Sequence, residues 1–358
     1  MNSVHLHQKI VKQLQRMGMG IRASSVTNLA LLSQSLAVSP NCHLSELAVH
    51  LPLTNDLEEL IQRLSRSLDN AELTWHRSYG QVVRHLFTHW QGEEVALVMD
   101  RTDLGQEQSI LTVGAAYHKR LLPLAWRILP FGGTGAQVQL SLLRQVQPYL
   151  PPLARVRIHY YGDCEFRATS VQNFCCQQHW HWQVGIKSDT YVQLTDGHWR
   201  QLSALGVCKG QRRYWQQVSL TKDEPFGPVN LIADWSPNQP FPRFWATDLT
   251  ADAQAWRRGR KRFWIEPTFR DWKSYGFDLE RTQISDPARL HLLILGMALA
   301  TLWLIHIGDW LTQHGHDHCL QRPQAIDYSY FRLGRDYLQR ALTLNWSVPI
   351  GFTVSHHA

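Results

Sequence analysis

Apolar positions recur at helical spacing through residues 1–90. Val11, Leu14, Met17 and Ile21 lie on one face, Ser45-Glu46-Leu47-Ala48 opens a short helix, and Leu57 to Leu64 forms another. The pattern changes at Glu94. Val95 to Asp100, Ser109 to Tyr117 and Leu121 to Leu129 are apolar runs of strand length. Gly132-Gly133-Thr134-Gly135 breaks the chain, and Val138 to Tyr149 reads as a helix. A fourth strand over Arg155 to Tyr161, a helix over Val171 to His179 and a fifth strand over Trp182 to Lys187 follow.

Three strands, helix, strand, helix, strand is the order of an RNase H-like core, so the expected class is α/β. Short alternating segments such as Tyr191 to Leu194 and Tyr214 to Val218, separated by turn signals at Asp196-Gly197 and Phe226-Gly227-Pro228, predict a β-rich insertion. Helices resume near Ala251. The expected organisation is a helical, DNA-binding unit over 1–90, a catalytic core over 91–188 and 251–310, an insertion over 189–250, and a C-terminal tail over 311–358 with a helix near Tyr328 to Leu342. Leu292 to Ile305, the longest apolar run, is short for a membrane span and predicts a buried helix. No membrane association is expected. The polar, basic stretch Met1 to Arg22 has no apolar signal-peptide region.

Charge narrows the partners. Among 358 residues, 36 Lys and Arg outnumber 29 Asp and Glu, for a net charge of +7, which favours an acidic partner. The 15 Trp include core residues, but aromatics interleaved with Arg also suit base stacking. Six Cys without a CxxC pair suit a reduced, intracellular protein.

Three carboxylates carry the candidate chemistry. Asp100 ends the run Val95 to Met99, Asp163 ends Arg155 to Gly162, and Glu266 lies in a basic stretch from Arg257 to Lys273. Acidic residues at the carboxyl ends of buried strands stand where open α/β sheets place their sites. A helix supplying Glu266 completes a set of hard oxygen donors suited to Mg²⁺, with two ions able to act on an in-line displacement at phosphorus. Arg257, Arg258, Arg260, Lys261 and Arg262 would neutralise phosphates. Arg270 and Lys273 follow Glu266 on one flank, while Ile265, Phe269 and Trp272 form an apolar stripe for docking on the sheet. Pro267 predicts that the helix starts or kinks at Glu266.

At these residues the chain resembles DDE-type insertion-sequence transposases of the insertion-sequence-four-like group. Their Y-R-E-K signature runs Tyr, two residues, Arg, three residues, Glu, six residues, Lys. Arg262, Glu266 and Lys273 match its spacing, whereas Gly259 stands at the Tyr position and Trp256 lies three residues earlier. Met99 to Asp103 and Gly162 to Arg167 resemble the two aspartate motifs, and Ile265 to Glu280 the third. The resemblance covers roughly residues 20 to 345.

It implies a cut-and-paste transposase in which Asp100, Asp163 and Glu266 hold Mg²⁺, with Mn²⁺ able to substitute. Arg262 and Lys273 would contact phosphates near the cleaved end. It also implies nicking, a DNA hairpin, joining of the 3′-OH to target, and a protein dimer on paired transposon ends. The partner would be double-stranded DNA, and the location cytoplasmic, at the nucleoid. Hairpin formation needs an extruded base held by an aromatic, with Trp215, Trp235 and Trp245 as candidates. Two other readings stand beside it: a metal-dependent nuclease without strand transfer, and a lapsed, transposase-derived DNA-binding protein. His314-Gly315-His316-Asp317-His318-Cys319 reads as a solvated loop, since a second pair of zinc ligands is not evident. Asp103 and Glu165 lie beside proposed ligands and could be mistaken for them.

Overall fold

Parallel pairing at the centre of one ten-stranded sheet determines where the acidic residues can meet. The computed structural model describes residues 2–316, 320 and 328–355, so Asp317, His318 and Cys319 lie outside the described residues. β1 (Glu94–Leu104), β2 (Gln108–Tyr117) and β3 (Arg120–Pro130) form an antiparallel meander. β4 (Arg157–Gly162) and β5 (His181–Ile186) then add in parallel beside β1. α6 (Ala136–Val146) and α7 (Thr169–Gln177) provide the long connections that parallel pairing requires.

β1 differs from the expectation in one respect. Asp100 does not end the strand, because Arg101 to Leu104 continue antiparallel to β2. Pairing with β4, however, covers only Glu94 to Val98. Asp100 therefore lies just past the parallel zone, beside the end of β4, where Asp163 follows. The error arose from the fall in apolar content at Asp100, which marks loss of burial on one flank and not loss of pairing.

Strand alternation divides β1 between two environments. Val95, Leu97 and Met99 enter the main core, while Ala96 and Val98 face a smaller cluster with Leu121, Tyr161, Ile265 and Phe269. Asp100, two residues beyond Val98, shares the second face. The intervening strands, β6 (Tyr191–Gln193), β7 (Trp199–Gln201), β8 (Arg212–Leu220), β9 (Phe226–Asp234) and β10 (Arg243–Thr247), continue the same sheet. β10 pairs antiparallel with β5, giving the order β3-β2-β1-β4-β5-β10-β9-β8-β6-β7.

The N-terminal helices α1 (Ser3–Arg16), α2 (Ala23–Val38), α3 (Leu44–Val49), α4 (Leu57–Ser67) and α5 (Tyr79–Thr88) contribute to the main core. After the short helices α8 (Ala253–Gly259) and α9 (Ile265–Arg270) comes α10 (Pro287–Gln313). It is capped by Asp286, which accepts from the Arg289 N–H, and has Pro at its first position. Its length and composition would suffice to cross a membrane, yet 89% of its most apolar stretch is buried inside the protein. It packs against α2, β3 and α11 (Tyr330–Thr343). An apolar surface on every side is what such a central helix requires.

α11 approaches α10 closely at Gly334, where an added methyl would run into the Leu304 carbonyl. Backbone blocks that methyl, so the helices must separate. Gly334→Ala is therefore expected to lower unfolding stability by about 1–3 kcal/mol, read as a lower denaturation midpoint with an unchanged slope.

Candidate active site

One helical rod carries the third acid. α8 passes into a 3-10 stretch (Arg260–Trp264), then α9, then a π-helical turn (Asp271–Tyr275). The residues at each junction keep right-handed helical dihedrals. Pro267 thus does not start or kink the rod at Glu266, correcting the sequence expectation. It falls in the first turn of α9, where a missing N–H is tolerated, and the strain is taken up by tightening before and loosening after.

Packing fixes the rod's rotation. Ile265, Phe269 and Trp272 are buried. The Thr268 hydroxyl accepts from the Leu121 N–H at 2.8 Å, and the Trp272 indole donates to Thr301 at 3.0 Å. With that stripe held on the sheet, Arg262 and Glu266, one turn apart, reach the ends of β1 and β4.

The three sequence-predicted acids converge on the Arg262 guanidinium. Its Nη2 donates to Asp100 Oδ2 at 2.9 Å and to Asp163 Oδ2 at 3.4 Å, and its Nη1 donates to Glu266 Oε1 at 2.8 Å. Each aspartate uses its other oxygen to fix its own backbone. Asp100 Oδ1 accepts from the Arg101 N–H at 2.8 Å, and Asp163 Oδ1 from the Glu165 N–H at 2.8 Å. The Asp100 side chain is 12% exposed, that of Asp163 38% and that of Glu266 53%, so the cluster opens toward Glu266.

Burial pushes the Asp100 carboxyl up to about 6; Arg262 opposes this, while Asp163 and Glu266 add to it. This acid is held ionised against its surroundings. Six hard oxygens around one positive centre are the right donor chemistry for a divalent cation. Among the described residues, no three acidic, His or Cys side chains are spaced to hold a metal ion as they stand. The positive charge they surround is the guanidinium.

Neighbouring acids are engaged elsewhere. Glu165 accepts from the Thr134 N–H and hydroxyl and faces Arg101, and Asp103 accepts from Arg101 and Ser109. Glu280 pairs with Lys273 at 2.8 Å.

The basic residues divide by position. Arg258 and Lys261 face Glu94 at 3.8 and 3.6 Å, at the opposite end of β1 from Asp100. Lys273 also donates to the Asp103 carbonyl at 2.9 Å, tying the rod to the β1–β2 hairpin. Arg257, Arg260 and Arg270 are exposed.

Arg257 and Arg260 line a cleft of about 860 Å³ between the rod and the sheet extension. Sequence reasoning missed its other cations, Lys119, Arg120, Arg212 and Arg243, which are scattered along the chain. Lys119 sits in a tight β2–β3 turn in which His118 and Lys119 both adopt positive φ. Trp245, Trp256, Phe263 and Trp264 supply aromatic walls, with the Arg212 and Arg260 guanidinium carbons 3.2 and 5.3 Å from the Trp256 ring centre.

Gly259 has a physical reason to be glycine. Any β-carbon there would collide with the amide of the buried Gln183 on β5. Gln183 takes the space beside the rod, and Trp256 does not enter it.

A family model described as Transposase DDE domain matches residues 133–303. That span includes Asp163, Arg262 and Glu266, and Asp100 precedes it. The match supports a DDE-type transposase. No curated protein matches the sequence. Among solved structures, the chain is similar to the piggyBac transposase in a cryo-EM synaptic complex with hairpin DNA. The identity is 9% and the TM-score 0.49, over 95% of this chain and 77% of that one.

The raised Asp100 carboxyl makes a pH-dependent prediction. Above about 6 the native carboxylate is ionised and bears its full desolvation cost. As pH falls from there to the unfolded value near 4, the native state binds its proton first and the cost is relieved. Asp100→Asn should therefore stabilise the protein by about 1–3 kcal/mol at pH 7–8. The gain should shrink to nothing near pH 4, measured as the difference in denaturation midpoint across pH.

Proposed function

We propose that the chain is the DNA transposase of an insertion sequence, cutting its element's inverted-repeat ends and joining them to target DNA. The observation that carries this reading is the convergence of Asp100, Asp163 and Glu266 on one cationic centre. The same rod lines a cleft of cations and aromatics. The β1-β2-β3, β4, β5 order, with α6 and α7 as the connections, supports an RNase H-like core.

In this reading the three carboxylates hold Mg²⁺ or Mn²⁺, in all two ions. Divalent cations there would activate the attacking oxygen and stabilise the leaving oxygen at phosphorus. Asp100 and Asp163 offer oxygens already oriented by the Arg101 and Glu165 N–H groups, so little reorganisation accompanies the reaction. Glu266, the most exposed of the three, comes from the rod. Arg257, Arg260, Lys119 and Arg243 on the cleft would take backbone phosphates, giving affinity a salt dependence. Arg270 extends that surface. Arg258, Lys261 and Lys273 instead hold the rod in place through Glu94, Asp103 and Glu280.

Cleavage through a hairpin would need a base held outside the helix. Of Trp215, Trp235 and Trp245, Trp245 lies on the cleft wall, which favours it as the stacking platform. The insertion-sequence-four-like subgroup is part of this proposal, with Gln183 beside Gly259 where the signature has Tyr. A homodimer on paired ends, acting in the cytoplasm at the nucleoid, completes the reading.

The test is cleavage and joining of linear DNA carrying the element's own ends, with Mg²⁺ or Mn²⁺. Glu266→Gln should reduce cleavage by roughly a hundredfold or more while end binding persists. Equal cleavage by both proteins would remove Glu266 from the chemistry. Cleavage by the wild type without joining would identify a nuclease, and tight binding with no cleavage a lapsed enzyme.

A further inference from the structure

Arg262 occupies the position that any cation bound by the three acids would need. Its two terminal nitrogens contact all three carboxylates, and its side chain is only 14% exposed. Resting on the reading of those acids as metal ligands, we infer that Arg262 is a gate. It closes the site as an internal counter-ion and leaves when metal and a substrate phosphate arrive together.

Three features make the closed position provisional. First, the Arg262 Nε is buried and has no hydrogen-bond acceptor. The fork is satisfied at its tip and frustrated at its neck, which lowers the cost of withdrawal. Second, the aspartates do not depend on Arg262 for their place, because a backbone N–H holds the second oxygen of each. Removing the arginine leaves a concentrated negative site and not a collapsed one. Third, the opening lies on the side of Glu266, the half-exposed member, and the neighbouring Phe263 ring lines the cationic cleft. The guanidinium carbon is already 5.1 Å from that ring's centre.

Withdrawal toward the cleft would offer the fork a phosphate in exchange for carboxylates. Arginine binds either anion through two parallel N–H groups. Without a phosphate, a metal ion must displace a cation that already neutralises its ligands. With one, the arginine has an alternative partner and the ligands are freed. Metal binding and DNA binding would therefore be coupled, each favouring the other by the same factor. An enzyme built this way does not assemble its cutting centre away from DNA.

The experiment is a titration of the full chain with Mn²⁺, free ion being counted by electron paramagnetic resonance. Wild type is compared with Arg262→Gln and with Arg270→Gln, which removes the same charge from an exposed position on the same rod. Arg262→Gln should bind Mn²⁺ about tenfold more tightly or better, the size expected for losing a charged contact, and Arg270→Gln should match the wild type. A short blunt duplex of arbitrary sequence at low ionic strength should bring wild-type affinity toward that of Arg262→Gln.

Equal affinity of wild type and Arg262→Gln would overturn the gate and leave the metal site standing. An equal gain in Arg270→Gln would also overturn it, showing only the effect of net charge. Absence of Mn²⁺ binding to all three would overturn the metal reading and the gate with it. Melting curves check folding. If Arg262→Gln fails to fold, Arg262→Lys serves, because one ammonium cannot span the carboxylates as the fork does. It should bind Mn²⁺ more tightly than wild type, and unchanged affinity would overturn the gate.

Discussion

Three carboxylates cannot share a partly buried site without a positive charge among them. At these separations in a medium poorer than water, their mutual repulsion amounts to several kcal/mol. The protein meets this constraint by placing Arg262 one helical turn before Glu266, so that the element delivering the third acid also delivers the counter-charge. Fixing the relation between those two residues then fixes much else. Ile265, Phe269 and Trp272 must lie against the sheet while Arg262 and Glu266 point along it to the strand ends. A uniform α-helix interrupted by Pro267 would strain at this point. The change from α to 3-10, back to α and then to π lets one rod satisfy both its apolar stripe and its polar tip.

β1 supplies the matching reference. Its even-numbered face presents Glu94 at one end, Ala96 and Val98 in the middle and Asp100 at the other. The rod touches all of it: Arg258 and Lys261 at Glu94, Ile265 and Phe269 at the apolar centre, Arg262 at Asp100. Charge pairs at both ends define how far the rod can slide along the strand, which apolar packing alone would leave loose. Behind Glu94, buried His159 is held neutral, its ring pushed down to about 4 by burial. At physiological pH the cations of the rod are thus the positive partners of Glu94.

Much of this was legible in the sequence, and the failures share a cause. Strands β1 to β5 announce themselves because strands buried on both faces are nearly continuous apolar runs, and α10 because it is apolar on all sides. The three acids were recognisable from their places after such runs and in the basic stretch. What the sequence could not reveal was partnership between residues far apart. Arg258 and Lys261 looked identical to Arg257 and Arg260, yet Glu94 lies across from the first pair and the cleft across from the second. The cleft's remaining cations come from a hairpin turn and from three strands, so no local density marks them. Gly259 looked like a lost side chain until Gln183, a strand away, accounted for the missing volume.

The choice of arginine at position 262 follows from the same geometry. A lysine would supply equal charge, but its single ammonium could not span the Asp100 and Asp163 oxygens on one side and Glu266 on the other. A planar guanidinium with two separated N–H pairs does so, and it is less strongly hydrated, so bringing it into the cluster costs less. Its permanence as a charge matters too. The Asp100 carboxyl rises toward neutrality under burial, and a counter-charge that could itself be lost would let the site neutralise. Arg262 keeps the acids ionised while the ligand set waits, so the ligands do not protonate and lose affinity for cations. The cost is an unsatisfied Nε and a buried, repelling acid. Both are forms of local instability that a structure tolerates where charge must be ready for chemistry and not merely balanced for folding.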